Sequence, residues 1–251
     1  MKRILSAAAA ALTLLTAAAC GDGDDKTESR TLTVLAAASL TETFTALGKT
    51  FEQAHPGVKV RFSFGGSSAL AQQIVQGAPA DVFAAASPAT MKTVTDDGDA
   101  SGAPQVFARN RLVIAVPKGA AKVHALADLA AKGTKVVLCA EQVPCGAAAK
   151  TALAAAGVTV RPVSQEQDVK AVLTKVRLGE ADAGLVYRTD VGAAAGQVTG
   201  IDFPAAAKAI NAYPIAALAK APQLALARQF VALVLSAPGQ DALTRAGFEK
   251  P

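Results

Sequence analysis

Two serines stand where chemistry could be done. Ser39 lies in "AASLTE" (37–42) and Ser67 in "FGGSSA" (64–69), and at both places a strand-like apolar run gives way to a helix-like one. A serine at such a junction caps the helix by default, accepting a first-turn NH. It can do more, because a hydroxyl has one hydrogen to donate and two lone pairs, so it can accept the helix NH and still give its proton to a ligand. The helix N-terminus behind it adds unpaired NH groups and about half a positive charge, which together favour an anion. Gly65 and Gly66 let the backbone come close to whatever binds. The residues therefore point to an anion held by neutral donors, with plain capping as the alternative.

Catalysis has little to work with. G-x-S-x-G, Walker and G-x-G-x-x-G sequences are absent. His55 sits beside a helix-ending proline and His124 in a helix-start region, so neither is placed to serve a serine. Asp81, Asp182 and Asp190 read as caps, ion-pair partners or solvent-facing groups. No enzyme activity, no cofactor and no direct protein-metal ligand is expected. Cys139 and Cys145 are spaced C-x5-C, an unusual spacing for a metal pair, and no histidine lies near them. In an oxidising compartment they read as a disulfide, with two free thiols as the open alternative.

The compartment is read from the N-terminus. Lys2 and Arg3 precede an apolar run from Ile4 to Ala19, too short to cross about 30 Å of hydrocarbon and built as a signal peptide. "AAAC" ending at Cys20 resembles a bacterial lipobox, which would make Cys20 the lipidated first residue; Ala17 departs from the leucine usual there. Ordinary secretion after an Ala-x-Ala site is the alternative. Residues 1–19 are thus expected to be removed, and 20–30, "CGDGDDKTESR", to form a polar tether. Cleavage lowers the net charge from +5 to +3 by removing Lys2 and Arg3, and the remaining basic residues are scattered, so no nucleic-acid surface is expected.

These residues must be positioned by the elements around them. From Thr31 the chain alternates strand and helix signals. "TLTVLAAA" reads as a buried strand, and Ser39 with Glu42 three residues on reads as a capping box opening a helix whose Phe44, Leu47 and Phe51 share a face. "VKVRFSF" alternates as a strand, "GGSS" turns into a second helix, and "ADVFAAA" is a third strand before "SP" caps a third helix at 87–88. A second series follows a turn-rich stretch at 95–105: strand "NRLVIAVP", strand "KVVLCA", a helix from about 146 to 156, strand "VTVRPV", a helix from about 169 to 178, strand "AGLVY". A short strand at 201–203, "YPIAAL" and two helices finish the chain. Repeated βαβ units build mostly parallel sheets with helices on both faces. A 51% hydrophobic chain of 251 residues can form two such lobes, and with only 4% aromatics their cores must be assembled from Val, Leu, Ile and Ala with nine Phe residues. In open α/β sheets the ligand crevice lies beyond the carboxyl ends of the strands, where Ser39 and Ser67 fall.

"AAASLTETF", "FSFGGSSALAQQIVQGAPADVFAAAS", "RLVIAVPKG", "VPCGAAAK", "QDVKAVLTKVRLGEADAGLVYRTD", "YPIA" and "AGF" together resemble the periplasmic molybdate-binding proteins of ABC importers, over residues 31 to 248. The resemblance implies a type II solute-binding fold, two α/β lobes joined by crossover strands that close on a tetrahedral oxyanion. Lobe boundaries are expected at 31–110 for the first, 111–197 for the second and 198–251 for the return to the first. The ligand donors implied are the Ser39 and Ser67 hydroxyls, with Ser68 the alternative to Ser67, the backbone NH groups of Cys145 and Val169, and the Tyr187 hydroxyl. The family's "VPAG" is "VPCG" here, which puts a cysteine where a backbone NH does the binding. Implied partners are molybdate or tungstate, an ABC permease and the membrane through the N-terminal lipid only; the protein is expected to be an extracytoplasmic, lipid-anchored monomer. Neutral donors suit a fully deprotonated dianion, because the OH of a protonated one would be buried without an acceptor at a cost of about 1–3 kcal/mol. Sulfate also meets that demand, and only cavity size could exclude it.

Overall fold

A computed structural model describes residues 30–119, 122–194 and 196–251; the leader, Cys20 and all of the tether except Arg30 lie outside them. The first lobe opens with β1 (Arg30–Ala37), a 3-10 turn (Ala38–Leu40), α1 (Thr41–Ala54), β2 (Val58–Gly65), α2 (Ser67–Val75), β3 (Val82–Ala84), α3 (Pro88–Asp96) and β4 (Gln105–Asn110). Ser87 caps α3 by accepting the Thr90 NH, with Pro88 at the first helical position where its missing NH costs nothing. At Arg111 the chain crosses over. The second lobe runs through β5 (Leu112–Pro117), β6 (Val136–Cys139), α4 (Pro144–Ala156), β7 (Ser164–Glu166), α5 (Val169–Arg177), β8 (Ala183–Tyr187), α6 (Arg188–Ala193) and β9 (Val198–Ile201). The chain then returns as β10 (Asn211–Ala217) and ends in α7 (Leu224–Leu235) and α8 (Ala237–Arg245).

Two five-stranded sheets result, ordered β2-β1-β3-β10-β4 and β7-β6-β8-β5-β9. In each, one strand opposes the rest: β10 pairs antiparallel with both β3 and β4, and β5 with both β8 and β9. Those two strands are the ones that enter a lobe after a crossover. Because they run backwards, their first residues lie at the carboxyl ends of their neighbours, so the crossovers pass directly behind the crevice. Each sheet is covered on both faces. In the first lobe Phe44, Phe51, Phe107 and Phe230 pack on one side, while Leu70, Ile74, Met91 and Val94 fill the other. The second lobe has a core of small aliphatics with Leu112, Ile114, Val172 and Leu185 buried at its centre.

Four sequence expectations need correction. Ser39 does not form a capping box: it lies inside the 3-10 turn, α1 starts at Thr41, and no side chain caps it. The strand expected at 158–163 is displaced to Ser164–Glu166, with the Val163 NH donating to the Val136 carbonyl just before it. Arg161 and Pro162 interrupt the pattern, and proline has no NH for a ladder. "NRLVIAVP" is divided, since β4 ends at Asn110 and β5 begins at Leu112 in the other sheet. The strand expected at 201–203 is β9, pairing with β5, and Phe203, Ala206 and Ala209 join the second core. The return to the first lobe thus falls at Asn211 rather than 198, because the apolar side chains of 198–209 are buried against α4 and its sheet.

Candidate functional site

Five strand-to-helix junctions meet at one cavity. Its lining includes Ser39 after β1, Gly65, Gly66 and Ser67 after β2, Cys145 after β6, Val169 after β7 and Tyr187 at the end of β8. All five expected donors are therefore brought together, and each is at most 4% exposed. Ser68 is not among the lining residues; its hydroxyl donates to the Gln142 carbonyl at 2.7 Å, across the cleft.

Each donor's local setting follows from its element. Ser39 Oγ lies 2.9 Å from the Tyr213 hydroxyl. Ser67, the first residue of α2, accepts the Ala86 NH at 3.0 Å, which leaves its own hydrogen for another acceptor. Cys145 is the second residue of α4, after Pro144, so its NH is the first that α4 can offer and precedes the intrahelical ladder. Its side chain forms a disulfide with Cys139, tying the start of α4 to the end of β6 with Cα atoms 5.7 Å apart. Gly146 makes this possible, since a Cβ there would sit 1.9 Å from the Ala140 carbonyl oxygen. Val169 opens α5, whose cap Asp168 accepts the Ala171 NH.

Tyr187 differs from the others. Its hydroxyl is buried and has no hydrogen-bond partner among the described residues; Tyr213 and Asn211 are polar neighbours that do not meet bonding geometry. Burial first, then the neighbouring Tyr213 and Asp190, push its pKa well above the ordinary tyrosine value. It stays protonated and can only donate or accept as a neutral phenol.

Electrostatics are arranged outside the cavity. Asp168 is the one charged residue in the lining among those described, and its carboxylate is engaged as a cap. Lys170, beside Val169, turns to the rim, where it meets Glu42 of the first lobe at 2.8 and 2.9 Å and Asp190 of its own lobe at 3.2 Å. Asp190 is fully buried and accepts the Tyr187 NH; desolvation outweighs Lys170 and lifts its pKa to about 6. Asp81, likewise buried, accepts the NH groups of Thr33 and Gln223, and Asp182 pairs with Lys122. No His/Cys/Asp/Glu group able to hold a metal occurs among the described residues.

The lobes are closed on each other. Besides the Glu42–Lys170 and Ser68–Gln142 contacts, Asn110 Nδ2 donates to Thr189 at 2.8 Å, and a Cβ on Gly66 would lie 2.2 Å from the Gln167 carbonyl oxygen. What remains between them is small. About 20 Å³ is open to the centre of a water molecule, which corresponds to a hollow roughly 3 Å in radius once water's own 1.4 Å is added. That admits one compact ion and excludes a sugar or peptide. Tyr213, Lys170 and Asp190 had no functional role in the sequence reading, and no local pattern marks them: Tyr213 reaches Ser39 across 174 residues and Lys170 reaches Glu42 across 128.

Residues 32–249 match the protein family described as bacterial extracellular solute-binding protein. The molybdate-binding protein ModA of Mycobacterium tuberculosis is 47% identical over 224 residues, covering 89% of this chain and 86% of that protein. Among solved structures, the periplasmic molybdate-binding protein of Azotobacter vinelandii superposes with a TM-score of 0.79 at 24% identity, over 88% of this chain and 99% of that one. The sulfate-binding protein SubI of M. tuberculosis shares the fold with a TM-score of 0.74 at 19% identity, over 88% and 87% of the two chains.

Proposed function

The chain belongs to the family of bacterial extracellular solute-binding proteins, and from that premise we propose that it captures molybdate, with tungstate as a second ligand, and delivers it to an ABC permease. The first lobe would contribute the Ser39 and Ser67 hydroxyls, and the second the NH groups of Cys145 and Val169 and the Tyr187 hydroxyl. One observation carries the reading: a buried phenol with no hydrogen-bond partner among the described residues lines a cavity of single-ion size, among helix N-termini and with no cation among the described lining residues. Such a set rewards an anion that accepts at every oxygen. Five charge-assisted hydrogen bonds at about 1.5–3 kcal/mol each, less desolvation and closure, are consistent with micromolar or tighter binding. Relatives named as molybdate-binding proteins favour molybdate over other dianions.

Lobe closure on the ion, a lipid on Cys20 and function as a monomer complete the proposal. Calorimetry on the mature protein with molybdate, tungstate, sulfate and phosphate in parallel tests it. Molybdate and tungstate are expected to bind at micromolar or lower concentration, sulfate at least about tenfold more weakly, and phosphate without measurable heat. Sulfate binding as tightly as molybdate would instead make the protein a receptor for another tetrahedral oxyanion, a possibility that the fold shared with SubI keeps specific. Mass spectrometry of the membrane-extracted protein reads the lipid on Cys20 separately.

A further inference from the structure

We propose that Tyr213 is a positioning and specificity-determining residue: its hydroxyl donates to Ser39 Oγ, which commits the Ser39 proton to the ligand and the site to fully deprotonated oxyanions. The inference rests on the oxyanion reading above and adds a residue to it. Tyr213 is in β10, the strand that runs against its neighbours, so its position near the start of that strand puts it at the carboxyl end of β3, behind the cavity. Its ring is fully buried against Tyr187, Phe107 and Phe248, and its hydroxyl lies 2.9 Å from Ser39 Oγ.

Two hydroxyls at that distance share one proton, and either could give it. Their other neighbours decide. The Asn110 side-chain amide oxygen accepts the Arg111 NH at 3.0 Å and its NH2 donates to Thr189 Oγ1 at 2.8 Å, so the group that Asn110 turns toward neighbouring Tyr213 is an NH2. An NH2 offers hydrogens and no lone pair, so Tyr213 finds no acceptor on that side and keeps its own proton for Ser39. Burial holds the phenol protonated, so that proton is always there to give. Ser39 then has a lone pair occupied from behind, and its hydrogen faces the cavity. Hydrogen bonds in such a chain polarise one another, so the Ser39 donor is strengthened as well as aimed.

The consequence is selectivity. With one lone pair taken by Tyr213 and its hydrogen turned to the cavity, Ser39 meets the anion as a donor, and the OH of a protonated oxyanion finds a hydrogen there in place of an acceptor. Without Tyr213, Ser39 is free to accept. The test is a cycle of Tyr213→Phe, Ser39→Ala and the double variant, each titrated with molybdate and, by competition at millimolar concentration, with hydrogen phosphate. Tyr213→Phe is expected to raise the molybdate Kd about tenfold, to narrow the ratio of the phosphate to the molybdate Kd, and to have less than about a twofold effect once Ser39 is alanine. A purely structural role would weaken both anions alike and persist in the Ser39→Ala background; either result overturns the proposal. Should Tyr213→Phe fail to fold, Asn110→Asp replaces it, since an acceptor there draws the Tyr213 proton away and must reproduce the same Ser39-dependent loss. If the wild type prefers another dianion, the functional reading fails, but the same cycle run with that dianion still judges Tyr213. A wild type that binds no oxyanion overturns both.

Discussion

Replacing Lys170 by methionine should destabilise the protein by an amount set by pH. Lys170 faces two carboxylates, Glu42 across the cleft and Asp190 beneath it, and Asp190 also has the phenols of Tyr187 and Tyr213 nearby. A buried carboxylate that loses its cation leaves a charge in a poor dielectric, which costs up to about 3–5 kcal/mol where there is no escape. Asp190 has one, because it can take a proton. The penalty is therefore capped by the cost of that proton at the working pH. Its pKa is already about 6 with Lys170 in place. Each unit of pH above that value is worth about 1.4 kcal/mol, so the cap is about 1.4 kcal/mol at pH 7, close to 3 kcal/mol at pH 8 and almost nothing at pH 5. The Glu42 half of the interaction, with a carboxylate more than half exposed, adds only about 0.5 kcal/mol.

The sign follows from the direction of the shift. Asp190 titrates higher in the folded state than in the unfolded one, so its contribution favours the fold below about pH 4 and is lost as pH rises through about 6. Removing Lys170 moves the upper edge of that window higher, and the variant goes on losing stability where the wild type has stopped. Urea denaturation of both proteins without ligand at pH 5, 7 and 8 measures it. A stability difference equal at all three values, or largest at pH 5, would refute the assignment of Asp190 as a buried carboxylate held by Lys170.

Three further outcomes follow from the same geometry. Glu42→Gln removes only the cross-cleft half of the pair, so stopped-flow displacement should show ligand leaving about two- to fivefold faster, with ligand-free stability close to wild type. Gly66→Ala should leave ligand-free stability within about 0.5 kcal/mol of wild type, since Gly66 has an ordinary φ of −62°, yet weaken affinity at least about tenfold because a Cβ 2.2 Å from the Gln167 oxygen holds the lobes apart; scattering that showed full compaction on ligand addition would contradict this. Reducing the Cys139–Cys145 bond opens a loop of seven residues, worth about 2 kcal/mol by chain entropy, and should also weaken molybdate binding by loosening the turn that aims the Cys145 NH. Unchanged affinity after reduction would remove that aiming role.

Legibility in the sequence divides by range. The meeting of Ser39 and Ser67 can be read from the sequence because each follows a strand, and strand ends of parallel sheets face one crevice, whereas Cys145, Val169 and Tyr187 are implied only by the family resemblance. The division of "NRLVIAVP" is not marked by its pattern, because a hydrophobic run does not say which sheet it joins; only the family resemblance puts a lobe boundary at 110–111, where Asn110 and Arg111 are the segment's polar residues. Ser39 illustrates the harder failure. Ser39 and Glu42 have the spacing of a capping box, yet Glu42 is drawn to Lys170 and Ser39 to Tyr213, both more than a hundred residues away. Local preference of about 1 kcal/mol for a cap loses to two tertiary partners, Tyr213 brought back into the first lobe by the returning strand and Lys170 supplied by the second.

Charge and recognition are kept apart in this site for a reason. Lys170 follows Val169 directly, and an ammonium turned inward would bring a full charge to the anion. A cation, however, attracts any anion of the right charge and does not read whether an oxygen carries a proton. Hydroxyls and NH groups do read it, because they offer hydrogens in fixed directions. The chain spends Lys170 on the rim, neutralised by Glu42 and Asp190, where it holds the cleft shut. Selection is then left to donors each fixed by a different constraint: Ser39 by Tyr213, Ser67 by the Ala86 NH, Cys145 by its disulfide, Val169 by the Asp168 cap and Tyr187 by the Asp190 bond to its NH. A hollow roughly 3 Å in radius can separate ions by size only if its walls do not yield, so the positional constraints around the donors matter as much to specificity as the donors themselves.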